Sequence, residues 1–139
     1  MTGGPSQLPG EVVAAFIKAM NEWEVSSWEA SRRARGTANP GSYWPEVTAA
    51  LDRVFEAFCT PRERPQGRQA SFQKPPEYDP SAEQILGSEI AGDKAYVDTE
   101  RKAVFGGGLL RYALQRRHGK WMIDNVKRKD GEEWARALL

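Results

Sequence analysis

The residues able to do chemistry in this chain are few and scattered. It holds one histidine, His118, and one cysteine, Cys59, which leaves no cysteine-rich metal cluster and no internal disulfide to consider. A general base would have to be His118 or a carboxylate raised by burial. His118 precedes Gly119 between two runs of alternating polarity, a pair suited to a two-residue hairpin turn, and an imidazole at such a bend has no substrate within reach. Glu24 lies four residues after Met20 and four before Trp28, on or beside the apolar stripe of a helix, where a carboxylate is costly unless paired. Snorkelling at the edge of the stripe is its commoner fate; lining an internal pocket or a partner site is the other. Tyr112 and Asn125 face one another if His118-Gly119 forms the turn, so Glu24, Tyr112 and Asn125 are the expected lining of any interior cavity. Tyrosine and asparagine at such positions are usually satisfied structural groups. Asp124 has the opposite parity to Trp121 and Ile123 and points away from the core. Cys59 follows Phe58 with no charged neighbour, the setting of a small buried filler rather than a nucleophile. Gly106-Gly107-Gly108 lacks the lysine of a phosphate loop. The expected catalytic set, metal set and cofactor set are therefore all empty.

The elements that position these groups follow from periodicity. Val13, Phe16, Ile17, Met20, Trp23, Ser27 and Trp28 recur at spacings of three and four, one face of a helix from about Glu11 that fades at Arg32–Gly36. Before it, residues 1–10 are rich in glycine and proline and read as a flexible tail, leaving 11–139 as a single domain. Pro45 opens a second helix carrying Val47, Leu51, Val54, Phe55 and Phe58 and closing before Pro61. Thr60–Asp79 holds four prolines and three arginines, a long loop with a short strand at Ala70–Gln73. Asp79-Pro80 caps a single turn. The period then changes to two: Ile85–Ala91 and Lys94–Glu100 flank Gly92-Asp93, and Leu109–Arg117 and Lys120–Arg128 flank His118-Gly119. In the second hairpin Leu114 faces Ile123, Arg116 faces Trp121, Tyr112 faces Asn125 and Leu110 faces Lys127. One face thus carries Leu110, Tyr112, Leu114, Trp121 and Ile123. The other carries Arg111, Met122, Asp124 and Val126 among polar residues. After the turn at Lys129-Asp130-Gly131, Glu132–Leu139 reads as a short helix anchored by Trp134, Leu138 and Leu139.

Helices in one block and strands in another define an α+β domain, helices laid across an antiparallel sheet. Its 139 residues, 40% hydrophobic and 28% charged with a net charge of +1, give no global case for nucleic acid or an acidic membrane. Arg116, Arg117, His118 and Lys120 at one end of the hairpin and Lys127–Lys129 at the other are interrupted by acids and read as solvated charge. No apolar run approaches the roughly 18 residues of a membrane span, and no charged-then-apolar leader opens the chain; the single cysteine suits a reducing cytoplasm.

Gly119-Lys120-Trp121-Met122-Ile123, after the strand bearing Leu110, Tyr112 and Leu114, resembles the late strands of the nuclear-transport-factor-2-like fold, a cone of N-terminal helices on a curved antiparallel sheet. More specific pieces resemble the immunity proteins of that fold that accompany Rhs-type polymorphic toxins. They are Phe16 with Met20-Asn21-Glu22-Trp23-Glu24, Val54-Phe55-Glu56-Ala57-Phe58-Cys59 and Pro76-Glu77-Tyr78-Asp79-Pro80. Ala95-Tyr96-Val97-Asp98-Thr99, Trp121-Met122-Ile123-Asp124, and Asp130-Gly131 with Trp134 complete the set. The resemblance implies a bacterial, cytoplasmic, non-catalytic protein that binds one cognate toxin domain and blocks it. The alternative it leaves is a small-molecule binder or an isomerase- or cyclase-like enzyme using the cone cavity.

An inhibitor needs aromatic and arginine anchors on a preorganised surface. Trp28, Tyr43 and Trp44 near the exit of the first helix, with Arg64 in the following loop and Glu24, are the expected partner-binding residues. Against a basic toxin groove, Glu22, Glu24 and Glu29, or Asp98 with Glu100, would have to supply a local acidic patch. Monomer and dimer both stay open.

Overall fold

A computed structural model describes residues 7–61, 75–102 and 107–136. Helix α1 spans Pro9–Ala34 and α2 spans Trp44–Phe58. Strands β1 (Glu83–Ala91), β2 (Lys94–Arg101), β3 (Gly108–Arg117), β4 (Lys120–Asp130) and β5 (Glu133–Arg136) follow in chain order. They form one antiparallel meander in the order β1-β2-β3-β4-β5. The helices lie on one face of this sheet, giving the two-layer α+β arrangement expected from the sequence.

Helix α1 starts at Pro9, two residues before its apolar stripe suggested, because proline suits a first helical position and the Leu8 N–H is taken by the Glu11 carboxylate at 2.7 Å. Val13, Phe16, Ile17, Met20, Trp23 and Ser27 are buried as the spacing requires. The helix stops at Ala34 with Arg32 and Arg33 in its last turn and Gly36 just beyond at φ +89°. Helix α2 lays Val47 and Leu51 against it, and the Trp23 indole N–H donates to the Val47 carbonyl at 2.9 Å. Phe16 is the hub of the core, meeting Phe58, Tyr78 and Tyr112 edge-on at centroid distances of 5.9, 5.6 and 6.5 Å.

The late hairpin has its expected turn. His118 and Gly119 adopt φ +53° and +76°, and Arg117, Arg116 and Leu114 pair with Lys120, Trp121 and Ile123. Leu110, Tyr112, Leu114, Trp121 and Ile123 are all buried. Beyond Leu114 the register departs from expectation. A bulge inserts Asp124 as an extra residue, so Ala113 faces Asn125, Tyr112 faces Val126 and Leu110 faces Arg128. Val126, expected in solvent, is buried in the core as a result. The bulge has a physical anchor: the chain leaving α2 runs beside β4 where β5 does not reach. Cys59 bridges Ile123, the Thr60 N–H donates to the Ile123 carbonyl at 2.9 Å, and the Thr60 hydroxyl donates to Asp124 Oδ1 at 2.8 Å.

The second correction is the C-terminal segment, which is a strand and not a helix over its described part. Gly131 at φ +66° makes a two-residue turn with Glu132, and Glu133–Arg136 pairs back onto Lys127–Asp130. Apolar positions at Trp134, Leu138 and Leu139 match a helical spacing but also follow a turn that feeds a hairpin; tertiary pairing decides between them. Arg64, the strand expected at 70–73, residues 1–6 of the tail, Gly106, Leu138 and Leu139 lie outside the described residues.

Candidate functional site

The interior face of the sheet meets α1 in a buried polar cluster. The turn at Asp79 delivers Glu83 to the start of β1: the Asp79 carboxylate accepts from the Ser81 N–H at 2.9 Å and its carbonyl from the Glu83 N–H at 3.0 Å. On β2, Ala95, Val97, Thr99 and Arg101 alternate inward and are buried. On β3, Tyr112 sits at the same depth. Glu83 Oε2 accepts from the Thr99 and Tyr112 hydroxyls, both at 2.7 Å, while Oε1 takes Arg101 Nε and Nη2, each at 2.9 Å. Arg101 also reaches Glu77 at 3.5 Å and lies 4.8 Å from the Tyr78 ring centroid. The side chains of Arg101 and Glu83 are 5% and 0% exposed.

Helix α1 fixes the other side of this cluster. Asn21 Nδ2 donates to the Tyr78 carbonyl at 2.9 Å, and Glu24 Oε2 accepts the Tyr78 N–H at 3.4 Å. Residues three apart on one helix face thus hold both backbone groups of a single loop residue. Glu24 is 0% exposed. It neither snorkels at the stripe's edge nor offers a surface to a partner, so of its expected roles only the interior one agrees with its position. Tyr112 is likewise interior. Asn125 is not beside it, because the bulge sets Asn125 opposite Ala113 on the other face. There it is half-buried, with Nδ2 3.2 Å from Asp124 Oδ2 and Oδ1 lacking a hydrogen-bond partner among the described residues.

The electrostatics suit a structural knot better than a catalytic base. Burial pushes the Tyr112 hydroxyl well above its ordinary value, with Tyr78 and Glu83 adding to the shift, so it stays protonated and donates. Burial alone would lower Arg101, but the charge of Glu83 overrides it and the guanidinium is held more firmly cationic. Glu83 receives donors at both oxygens, leaving no lone pair aimed at a substrate. Sequence reasoning missed Glu83, Thr99 and Arg101. The signal was present: the parity of Ala95, Val97 and Thr99 carries on to Arg101, and a cation on an apolar face requires a carboxylate. Starting β1 at Ile85 instead of Glu83 hid that partner.

At the surface, Trp44 is 46% exposed and stands edge-on to Tyr43 at 5.9 Å. Tyr43 is half-buried against the core, and Trp28 is half-buried with its Nε1 lacking a hydrogen-bond partner among the described residues. His118 is exposed at its turn and Cys59 is buried. Among the described residues no group of three or more His, Cys, Asp or Glu is placed to hold a metal ion, and no helix is long and apolar enough to cross a membrane.

Two helices over a five-stranded antiparallel meander are consistent with the nuclear-transport-factor-2-like fold. The family model described as NTF2 fold immunity protein matches residues 8–137, and the chain belongs to that family. It is similar to Immunity protein RhsIA of Dickeya dadantii (strain 3937), with 35% identity over 120 residues covering 85% of this chain and 84% of that protein. No solved structure matches.

Proposed function

We propose that this protein protects its cell by binding and neutralising the toxin domain of a cognate Rhs-type polymorphic toxin. The observation that carries this reading is family membership across 8–137 together with a relative named as an Rhs immunity protein over most of both chains. The interior agrees with it: the buried carboxylate of Glu83 is locked to Arg101, Thr99 and Tyr112 and is not free to act as a base. Inhibition is by occupancy of the toxin, with the domain that α1 opens at Pro9 as the binding unit and the cytoplasm as the site of action. At the corner between α1 and α2, Trp44 with Tyr43 and Trp28 offers one contact region, in which Trp44 is the exposed aromatic; Arg64, from the loop that follows α2, is a further candidate contact by its sequence alone.

Co-expression tests the reading. Cells producing the C-terminal domain of the toxin encoded directly upstream should survive when this protein is also produced and die when it is not. Death in both cases removes the immunity assignment.

A further inference from the structure

The outer face of the sheet, away from the helices, carries a stack that joins Arg111, expected on the wet face, to Trp134, expected as the anchor of a short helix. Arg111 on β3 makes a two-pronged pair with Asp98 on β2, Nε to Oδ1 at 2.7 Å and Nη2 to Oδ2 at 3.0 Å. Its guanidinium lies 4.5 Å from the Trp134 ring centroid on β5 and 5.7 Å from that of Tyr96 on β2. Since β4 runs between β3 and β5, the Arg111 side chain reaches across a whole strand to meet Trp134. Tyr96 remains 43% exposed and Arg111 35%. Lys127 and Lys129, both exposed, flank the stack, with Lys129 Nζ 5.9 Å from the Trp134 ring.

We infer that this Tyr96–Arg111–Trp134 platform, rather than the Trp44 corner, is the principal docking site for the toxin domain, and that it receives an acidic surface. The inference rests on the toxin-neutralising reading and deepens it. Tyrosine, tryptophan and arginine are the residue types that dominate binding energy at protein interfaces. Here the pair with Asp98 and the flanking rings already hold the arginine in place, so little side-chain entropy is lost on docking. Charge selects the partner. The outward positions of β3 and β4 carry Arg111, Arg117, Lys120, Lys127 and Lys129 against Asp124, whereas those of β1 and β2 carry Glu89, Asp98 and Glu100 against Lys94, and the α1 and α2 segments carry seven carboxylates to four cations. The near-zero net charge therefore hides a basic half of the sheet, at β3 and β4 where Lys127 and Lys129 stand, beside acidic β1 and β2 and an acidic helical layer. Asp98 is consumed by Arg111, so it cannot serve with Glu100 as the acidic patch expected for a basic toxin groove. With its fork filled by Asp98, Arg111 contributes packing and not a free charge, and the ammonium groups of Lys127 and Lys129 are what meet an acidic surface.

The test measures binding of the purified, catalytically inactivated toxin domain to the full chain by surface plasmon resonance at two salt concentrations. Three variants are compared: Tyr96→Ala, the double reversal Lys127→Glu with Lys129→Glu, and Trp44→Ala. Each is checked for an unchanged melting transition; the double reversal, at exposed positions, keeps the test sound if Tyr96→Ala unfolds. The expected result is at least a tenfold weaker Kd for Tyr96→Ala. The double reversal should slow association at least tenfold at low salt, with the difference shrinking at high salt. Trp44→Ala should bind within about threefold of wild type. Wild-type binding that the sheet variants leave within about threefold, or that Trp44→Ala alone abolishes, overturns the inference while leaving immunity intact. Failure of the wild type to bind the toxin domain at all would instead overturn the immunity reading. Two further outcomes overturn the platform assignment: the reversal dissociating a dimer of this chain, or removing affinity for mixed-sequence RNA or DNA, in either case without weakening toxin binding.

Discussion

Arg101 and Glu83 form the most heavily invested pair in the molecule, and their contribution is lopsided. Taking two charges out of water costs several kcal/mol each, and their attraction with the added hydroxyl donors roughly offsets that. Removing Arg101 leaves the Glu83 charge buried with only the Thr99 and Tyr112 hydroxyls to hold it. Arg101→Met should therefore lower unfolding free energy by about 3–5 kcal/mol, whereas Arg101→Met combined with Glu83→Leu should recover most of the loss. Urea denaturation of the two variants measures the difference. Tyr112 adds a pH dependence of definite sign. Its folded-state pKa is raised above the ordinary value of 10.0 by burial, so its contribution is whole below pH 10 and falls away as the pH rises from there, because the unfolded chain releases the proton first. Tyr112→Phe should cost about 1.5–3 kcal/mol at neutral pH, the scale of a hydrogen bond to a charged group. It should also flatten the decline in melting temperature between pH 9.5 and 11. These groups were only half legible from sequence. Tyr112 and Glu24 stood out by parity and helical spacing, but pairing Arg101 with Glu83 needs the exact start of β1, and strand ends are where periodicity says least.

Among the elements, the helices and the two hairpins were legible because each repeats one physical signal several times over. Seven residues of α1 share a stripe, and both His118-Gly119 and Gly92-Asp93 sit between alternating runs. The bulge at Asp124 and strand β5 were not legible, because each is fixed by a distant partner: Thr60 holds Asp124 at 2.8 Å, and β4 supplies the edge on which Glu133–Arg136 pairs. One extra residue was enough to exchange Val126 and Asn125 between faces. The hairpin turn itself is not optimal. His118 at φ +53° is the only non-glycine with positive φ among the described residues, and asparagine tolerates that conformation better in a turn of this type. His118→Asn should raise stability by roughly 0.5–1 kcal/mol, read as a higher melting temperature, and should leave protection from the toxin unchanged. Lost protection with the fold intact would mean that the imidazole has a role beyond the turn.

At the scale of the whole molecule, the helical layer and the sheet do different work. Helices α1 and α2 close the interior over Phe16 and the Glu83–Arg101 pair, which fixes the shape of the sheet. The sheet's outer face then presents Tyr96, Arg111 and Trp134 in a set geometry. A protein built this way inhibits by staying bound, so its effect must scale with its amount. The direct measurement is a titration of a fixed concentration of the toxin domain, well above the dissociation constant, with increasing amounts of this protein while toxin activity is followed. A binder gives a straight fall in activity that reaches its floor at a fixed stoichiometric ratio and does not deepen with time. Complete loss of toxin activity at a small fraction of one equivalent, progressing with incubation, would mean that this protein acts catalytically and would contradict neutralisation by occupancy.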